Sequence, residues 1–486
     1  MTAETLDRPV AADPRRWRAL AVIAIAQLMV VLDASIVNIA LPSAQLDLHI
    51  STANRQWIVT AYTLAFGGFL LLGGRIADYA GRKRCFTIGL IGFAAASALG
   101  GAANGQTMLF AARALQGLFG ALLAPAALSL LTVTFTDVRE RAKAFGVYGA
   151  IAGGGAAIGL VVGGVLTEYL DWRWCLYVNI PIAITAAFFA QRVLSESKAG
   201  GSTKYDIPGA LLSTGGLVAL VYGFTQAENH GWSSPQSWLY LVAAGILLVG
   251  FVLVELRSDN PLLPMRVLTE RNRGGAYLGS LLLGVGMFGM FLFMTYYFQL
   301  ILGFSALKTG FAFLPFSAGI IGAAATASTI QPRIGPRNTM LIGFTLAILG
   351  MLGLTQLTPT SEYALHVLPV LVALAIGMGL IFVPLSNTAL TGVQNHDAGV
   401  ASALVNTTQQ IGGSLGTALL NTIAASATAG YLVAHGTSDQ AVAEGTVHGF
   451  TTAFTWSAGF LAVAAVAVAV LVNAKPTNAK PPAHLG

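Results

Sequence analysis

The sequence contains few charged residues, which excludes an ordinary soluble protein. Asp, Glu, Lys and Arg make up only 9% of its 486 residues, whereas about 25% is usual in soluble domains. Hydrophobic residues make up 55% of the chain, and the mean hydropathy is +0.71. The 56 glycines and 18 prolines are typical of packed membrane helices. The composition therefore predicts an all-α polytopic membrane protein.

Cysteine is almost absent as well. The two cysteines, Cys85 and Cys175, fall at opposite membrane faces in the topology below, which excludes a disulfide between them, and no metal-binding spacing is present. The sequence also lacks an HExxH motif, paired aspartates at bilayer depth, a filter-like repeat and rings of charge. These absences argue against a membrane-embedded enzyme and an ion channel, and we expect no cofactor and no metal.

Fourteen apolar runs are long enough to cross a hydrocarbon core of about 30 Å. They lie near residues 19–42, 56–74, 85–104, 106–134, 144–168, 174–191, 207–226, 238–256, 274–302, 309–330, 338–357, 363–391, 399–430 and 449–473. A polar, Arg-containing N-terminus precedes the first run, which is too long for the apolar core of a cleaved signal peptide. We therefore interpret this run as a spanning helix.

The distribution of Lys and Arg orients the chain, because basic residues concentrate in cytoplasmic loops. With a cytoplasmic N-terminus, the outer loops hold Arg55, Arg173 and Lys308, Arg113 lies within a run, and the other basic residues fall on the inner side. This predicts a multi-pass protein of the cytoplasmic membrane with both termini inside. The net charge of +6 is then explained by topology, so we expect the lipid bilayer rather than nucleic acid as a partner, and a monomer.

The chain contains a weak internal repeat. GRKRCFTIG at 81–89 resembles GPRNTMLIG at 335–343, and GALLAP at 120–125 resembles GLIFVP at 379–384. We predict a six-helix half at 1–191, a two-helix insert at 192–257 and a second six-helix half at 258–486. Two related halves suggest a transporter whose binding site lies at the midplane between them.

Two ionisable residues lie deep inside predicted spans, Asp33 in QLMVVLDASIVNIALP and Arg113 in ARALQGLFGALLAP. A charge at the bilayer centre costs about 2.5–3.5 kcal/mol. Asp33 should therefore face a wet cavity, find a partner or be protonated. A carboxyl group in this position is suited to taking up and releasing protons. The alternative is an Asp fixed by hydrogen bonds in a helix interface. Other acidic residues, such as Glu168 and Glu255, fall at or near helix ends or in loops.

Arg113 has several possible partners. It could pair with a backbone carbonyl or with Gln116, or it could tune a nearby carboxylate. Because Arg does not lose its proton in proteins, it supplies a fixed charge in each case. A role as a helix-packing anchor is the alternative.

The segment GGRIADYAGRKR at 73–84 forms a short, highly charged cytosolic loop. Gly81 permits a tight turn, and Asp78 lies where it can cap or clamp a neighbouring helix. We predict a conformational latch formed by Gly74, Asp78, Gly81, Arg82 and Lys83. Positive-inside anchoring is the alternative, but it leaves Asp78 unexplained.

Three further patterns indicate helix packing or a cavity. Gly155, Gly159 and Gly163, followed by Gly164, give the fifth predicted helix a face that allows close approach of another helix. A polar stripe on the thirteenth should face a cavity or a polar interface; its members are Asn406, Gln410, Ser414, Thr417 and Asn421. On the ninth predicted helix, a stripe of methionine and tyrosine side chains suggests an apolar substrate cavity or ordinary packing. The candidate cavity residues are Asn38, Gln116, Met290, Met294, Tyr297, Asn387, Asn406 and Gln410.

Taken together, these segments resemble the major facilitator superfamily, specifically its fourteen-helix drug:proton antiporter branch, over nearly the whole chain. LDASIVNIALP resembles the helix 1 signature of that branch, GRIADYAGRKR its cytosolic loop motif, ARALQGLFGA its helix 4 motif, and DWRWCLYVNIP the segment that leads into helix 6. The helix 5 antiporter motif departs from the pattern, because Leu160 follows Gly159 where the family has Pro. This departure removes a kink-forming residue and weakens the case for antiport from this motif alone.

The resemblance implies alternating access by rocking of two halves, with no enzymatic activity. It implies that Asp33, with Arg113, takes up a proton when the cavity faces out and releases it when substrate binds inside. The function expected is proton-coupled export of lipophilic, neutral or monocationic drugs or antibiotics. A proton-coupled symporter for a small metabolite and a nontransporting receptor or scaffold are the alternatives.

Overall fold

The computed structural model describes residues 15–52, 54–135, 137–198, 206–258, 261–263, 265–393 and 398–473, and these are overwhelmingly helical. The α-helices are α1 (Arg16–Asp47), α2 (Trp57–Ala80), α3 (Arg82–Gly101), α4 (Gln106–Thr134), α5 (Val138–Tyr169), α6 (Trp174–Tyr177), α7 (Asn179–Val193), α8 (Ile207–His230), α9 (Pro235–Arg257), α10 (Met265–Leu268), α11 (Arg271–Tyr296), α12 (Ala306–Ala312), α13 (Leu314–Ile334), α14 (Pro336–Leu354), α15 (Leu368–Leu390), α16 (Ala398–His435) and α17 (Asp439–Leu471). Two π-helical turns, Tyr297–Ile301 and Tyr363–Val367, follow α11 and precede α15.

Each predicted apolar run falls on one or two of these helices. Within the described residues, twelve helical segments are long and apolar enough to cross a membrane. The two parts of α2 meet at an angle of 54° and add a thirteenth if they count as one span, whereas α5 is comparably apolar only over the shorter stretch Gly155–Tyr169. The all-helical membrane fold is confirmed, but the count of fourteen spans is not.

Polar residues and glycines mark where several helices begin. Ser234, Ser305 and Ser438 each accept a hydrogen bond from a backbone N–H in the first turn of the helix that follows, which satisfies one of the free N–H groups at a helix start. Gly81 and Gly335 have φ values of +117° and +85° before α3 and α14. Glycine is favoured in this left-handed region because it has no β-carbon.

The helices before and after the insert pack in the same order. In the first set, α1 packs on α5, α2 and α3 pack on α4, and α3 packs on α7. In the second set, α11 packs on α16, α13 and α14 pack on α15, and α14 packs on α17. This correspondence, together with the two equivalent glycine turns, supports the predicted internal repeat.

Helices α8 and α9, together with several direct helix contacts, connect the two sets. Helices α8 and α9 pack against each other, and α8 also contacts both α2 and α16. Elsewhere α2 packs along α16, and α5 packs on α12. The buried ionisable residues described next lie within the first set of helices.

Candidate functional site

Asp33 and Arg113 form a buried ion pair between α1 and α4. Arg113 Nη1 lies 2.7 Å from Asp33 Oδ2, and the two residues are 1% and 0% exposed. A wet cavity, a partner and protonation were the possibilities predicted for Asp33, with an Asp fixed by hydrogen bonds in a helix interface as the alternative. The structure shows a charged partner, and pairing of this kind makes a buried charge tolerable. The same geometry agrees with the structural alternative, so the proton-carrying role of Asp33 stays a prediction.

Two amide side chains complete the environment of Asp33. Gln116 Nε2 and Asn179 Nδ2 donate to Asp33 Oδ1 over 2.9 and 2.7 Å. With the guanidinium, the carboxylate therefore accepts three hydrogen bonds from three different side chains. An ionised carboxylate has about four acceptor positions on its two oxygens, and three of them are occupied here.

Arg113 makes every type of contact that the sequence suggested for it. Its Nε donates to the backbone oxygen of Ile58 over 2.9 Å, and Nη1 also donates to Gln116 Oε1 over 2.7 Å. The guanidinium lies over the ring of Tyr62 at 4.5 Å from the centroid, within the range of a cation–π interaction. The network thus joins α1, α2, α4 and α7.

Sequence reasoning did not identify Asn179 or Ser97 as part of this network. Ser97 Oγ accepts from Gln116 Nε2 over 2.7 Å, and both residues are fully buried. Asn179 lies in DWRWCLYVNIP, the segment that resembles the entry to helix 6, and this resemblance was the available signal. Ser97 lies in a run of small residues in α3 and carries no comparable signal.

The predicted cytosolic loop is held mainly by contacts within the first set of helices, and its Arg75 also donates to the backbone oxygen of Pro261 over 3.2 Å. Asp78 Oδ1 pairs with Arg82 at 2.8 Å, so in this conformation the acidic residue binds inside its own motif. Gly74 packs on Pro125 of α4. The latch function of these residues stays a prediction.

Glu196, which follows α7, anchors the start of α3. Its two oxygens accept from the backbone N–H groups of Lys83 and Arg84 over 3.0 and 3.1 Å, and Lys83 Nζ donates to Gln191 O over 2.9 Å. A carboxylate at a helix N-terminus also interacts favourably with the helix dipole. The loop is therefore attached to the end of α7.

The glycine face of α5 packs directly on α1. A β-carbon placed on Gly155, Gly159 or Gly163 would lie 3.1 Å from Val31, 2.3 Å from Ser35 or 2.9 Å from Ile36. Side chains at these positions would force the helices apart, as expected for a close helix–helix contact.

The next glycine on α5 faces the second set of helices. A β-carbon on Gly164 would lie 2.6 Å from Leu307 Cα of α12, and one on Gly310 would lie 2.5 Å from Leu160 O. The helix 5 motif thus contributes to both an internal packing face and a contact between the two sets.

The polar stripe of α16 changes character along the helix. Asn406 is exposed and Gln410 is half-buried, whereas Ser414, Thr417 and Asn421 are fully buried. The buried part forms a polar interface with α2, one of the two environments predicted for the stripe.

The side chains of this interface are directly hydrogen-bonded. The hydroxyls of Ser414 and Thr63 lie 2.6 Å apart. Asn421 accepts from Arg55 Nε over 3.0 Å and donates to Gln56 Oε1 over 2.9 Å. These hydrogen bonds therefore tie α16 to the Arg55 end of α2.

The remaining cavity candidates are distributed over different environments. Met290, Met294 and Tyr297 are buried in the packed core, with Tyr297 Oη donating to Thr358 O over 2.7 Å. Asn38 is half-buried next to the exposed Ala34, and Asn387 is exposed and donates to Gln331. The structure thus brings Gln116 to Asp33 but does not gather the other candidates around it, and their role in substrate binding stays a prediction.

Comparison with known proteins identifies many similar chains. The sequence profile described as Major Facilitator Superfamily matches residues 23–417. The puromycin resistance protein pur8 of Streptomyces alboniger is 52% identical over 95% of this chain and 92% of its own length. The cephamycin export protein CmcT of Amycolatopsis lactamdurans is 39% identical over 85% of this chain and 86% of its own.

Solved structures of transporters have a similar fold. A bacterial homologue of the human lysosomal transporter Spinster, in an inward-facing and unoccupied conformation, matches with a TM-score of 0.65 and 16% identity. This match covers 94% of the present chain and 96% of the other chain. At this identity the likeness concerns the fold alone.

Proposed function

The chain belongs to the major facilitator superfamily, whose relatives found here are transporters rather than enzymes, and on that premise we propose that it is a proton-coupled antiporter. Its antibiotic-resistance and antibiotic-export relatives support drug efflux. The proposed substrates are lipophilic neutral or monocationic compounds, exported across the cytoplasmic membrane with both termini of the chain inside. The buried Asp33–Arg113 pair is the observation that carries the proton-coupled part of the proposal.

Asp33 would act as the proton-binding group. A proton on Oδ2 neutralises the carboxylate, so the attraction to Arg113 is lost while the guanidinium keeps its contacts with Ile58 and Gln116. An unpaired buried charge is strongly unfavourable, and this provides a force that rearranges α4 relative to α1. Proton binding is thereby converted into a change in helix packing.

Substrate would act on Asp33 through the helix rather than by direct contact. Asp33 is fully buried among its donors, whereas Ala34, the next residue on α1, is exposed and Asn38 is half-buried. A substrate against the face that carries Ala34 and Asn38 would shift α1 so that the hydrogen bonds to ionised Asp33 are strengthened, which favours release of its proton. This arrangement lets proton and substrate oppose each other without sharing one contact point.

Alternating access would use the contacts that now join the two halves. Besides the Arg55–Asn421 and Thr63–Ser414 pairs, Gln299 Nε2 donates to Ile39 O over 3.0 Å. These contacts lie on the side of the membrane that we assign to the exterior, so the described conformation would be closed to the outside. The exposed Asn406 lies towards the other end of α16, which supports access from the cytoplasm.

The same proposal assigns the larger units. Residues 1–191 and 258–486 would rock as two six-helix halves, with 192–257 as the insert between them. The Asp78–Arg82 loop would form a different contact when the cytoplasmic side closes. The expected functional unit is a monomer.

The energetics of one proton per cycle are sufficient for a neutral substrate. Moving one charge through 100 mV supplies about 2.3 kcal/mol, and each 1.36 kcal/mol corresponds to a tenfold ratio of concentrations. Voltage alone therefore sustains a roughly 50-fold gradient. For a monocation the exchange is electroneutral, and only the pH gradient drives it.

Inside-out vesicles with a luminal pH dye test the function and its alternatives. Puromycin is the first compound to add, because a relative that is 52% identical is named a puromycin resistance protein. With no initial pH gradient, antiport makes the lumen more alkaline when the compound enters, symport makes it more acidic, and a nontransporting receptor leaves it unchanged. Luminal acidification by a transported compound would overturn the antiporter proposal in favour of symport, which the Leu160 departure leaves open.

A further inference from the structure

A second pair of acidic side chains is buried where the insert joins the rest of the chain. Asp206 immediately precedes α8, and Glu255 lies in the last turn of α9. They are only 7% and 3% exposed, although the sequence indicated no more for Glu255 than a position near a helix end. The Asp33–Arg113 network does not include either residue.

One oxygen of each carboxyl group has a backbone partner. Asp206 Oδ1 accepts from Gly209 N over 2.9 Å, which caps the start of α8. Glu255 Oε2 accepts from Leu263 N over 3.0 Å. Leu263 lies in the linker between α9 and α10, so Glu255 holds this linker against the end of the insert.

The other oxygen of each group is buried without a hydrogen-bond donor among the described residues. A β-carbon placed on Gly209 would lie 2.8 Å from Asp206 Oδ2 and 2.7 Å from Glu255 Oε1. Gly209 therefore leaves a buried space that both of these oxygens adjoin. Two ionised carboxylates would bring only acceptors to this space, whereas a proton on one of them would supply the missing donor.

Electrostatics favour a proton over the alternatives at this position. Two ionised carboxylates in one buried site repel each other, and such pairs retain one proton. Calcium and magnesium ions prefer six or more oxygen ligands, whereas the described residues offer two free oxygens here. Of the described basic residues on the neighbouring elements, Arg75 of α2 donates to Pro261 O over 3.2 Å, and Arg257 is exposed. Lys204 and Asp259 lie outside the described residues.

We propose that Asp206 and Glu255 form a binding site for one proton, and that this proton fastens the linker between the insert and the second half. The proton lies between Asp206 Oδ2 and Glu255 Oε1. When it leaves at higher pH, repulsion separates the two carboxylates, and Glu255 Oε2 releases the backbone N–H of Leu263.

The fastened linker also connects to the cytosolic loop. Arg75 donates to Pro261, two residues before Leu263, and lies next to Gly74 of the predicted latch. Protonation of the pair therefore ties together the insert, the linker and the end of α2. This inference goes beyond the proposed export function and does not depend on it, because the proton would bind to the folded chain at rest.

Hydrogen–deuterium exchange at the linker tests the proposal on the full chain in lipid nanodiscs. After correction for the intrinsic pH dependence of exchange, protection of the Leu263 amide should fall by about tenfold, or about 1.4 kcal/mol, between mildly acidic and alkaline pH. Glu255→Gln should retain protection at alkaline pH, because its amide can donate to Asp206 Oδ2 as the proton did. Glu196→Gln is the control, because it removes a different carboxyl group, one that binds the start of α3. This variant should keep the wild-type pH dependence.

Infrared spectroscopy provides a second measurement on the same samples. The wild type should show the C=O stretch of a protonated carboxylic acid at neutral pH, and both Glu255→Gln and Asp206→Asn should lose that band. The proposal is overturned if neither variant loses the band, or if wild-type protection at Leu263 does not change with pH. Neither measurement requires transport, so an incorrect substrate or coupling assignment would not affect the result.

Discussion

At the scale of single residues, the surroundings of Asp33 determine how readily it can accept a proton. Its carboxylate is held by one guanidinium and two amides. Arg113 and Gln116 make further hydrogen bonds, whereas Asn179 Oδ1 has no partner among the described residues. On the proposal that Asp33 carries the coupling proton, these donors favour its ionised form. Changing a donor should tune proton exchange, whereas changing a more distant member should have less effect.

The replacement Asn179→Leu tests this directly. It removes one donor to Asp33 Oδ1, and loss of a hydrogen bond to the charged form favours the protonated form. We expect the pH midpoint of proton exchange in vesicles to move upward, by about one unit for a hydrogen bond of about 1.5 kcal/mol. Ser97→Ala is the matched control, because Ser97 contacts Gln116 rather than Asp33. Equal midpoints in wild type and Asn179→Leu would show that this donor does not tune Asp33.

The residues of this network differ in how well a sequence reveals them. Asp33 and Arg113 are visible because a charge within an apolar run is rare and unfavourable. Asn179 and Ser97 are small polar residues of a kind common in membrane helices, so only the folded arrangement distinguishes them. The burial of Glu255 was missed for a related reason: its position near a helix end predicts solvent contact, but the returning linker covers it.

At the scale of helices, the glycine face of α5 controls the distance to α1. We expect Gly163→Ala to destabilise the chain by about 1–3 kcal/mol, the usual range for overpacking, since the new β-carbon would lie 2.9 Å from the backbone oxygen of Ile36. The thermal unfolding midpoint in detergent should fall. Gly459→Ala in α17 is the control, because nothing lies within 4 Å of its β-carbon position. An unchanged midpoint for Gly163→Ala would contradict the packing account.

The contact between α2 and α16 provides a test of the moving interface. Thr63→Cys with Ser414→Cys, in a chain with both native cysteines replaced, places two thiols where hydroxyls lie 2.6 Å apart. Oxidation should abolish transport and reduction should restore it, because a disulfide would prevent separation of the halves.

A disulfide within one half serves as the control for this experiment. Thr167→Cys faces the native Cys175, with the present oxygen 3.3 Å from the sulfur, and only Cys85 is then replaced. This bridge should leave transport intact. If the bridge between the halves leaves transport equally intact, α2 and α16 do not separate during the cycle.

The helices themselves were the most predictable part of the fold, because twenty apolar residues have few alternatives in a membrane. Their interruptions were not predictable in the same way. The 54° bend in α2 and the π-helical turn at Tyr297–Ile301 lie within continuous apolar runs, so hydropathy does not mark them. The predicted glycine face of α5 could be read from spacing, but which helix it contacts required the structure.

At the scale of the whole molecule, the two sets of helices repeat the same packing order, and the insert touches both through α8. The sequence suggested this repeat through two short matches. For the stripe with Met290 and Met294 it gave both a substrate cavity and ordinary packing, because soft apolar side chains fit either place, and the structure buries both residues in the core.

The charge of the substrate should limit what the molecule can export. A single intramembrane carboxylate exchanges one positive charge for one proton, so we expect efficient export of monocations and poor export of dications. Matched monovalent and divalent members of one lipophilic series, compared in vesicles at equal pH gradient, measure this preference. Export of the dication as strong as that of the monocation would contradict the expected stoichiometry.

The most direct test of the central claim measures the pH gradient of inside-out vesicles with an acidic lumen, which contain either the wild type or Asp33→Asn. We predict that an exported compound collapses the pH gradient in wild-type vesicles and leaves it intact with Asp33→Asn, while compound binding to the purified variant persists. If Asp33→Asn exchanges protons as well as the wild type, Asp33 is a structural residue and the coupling group lies elsewhere.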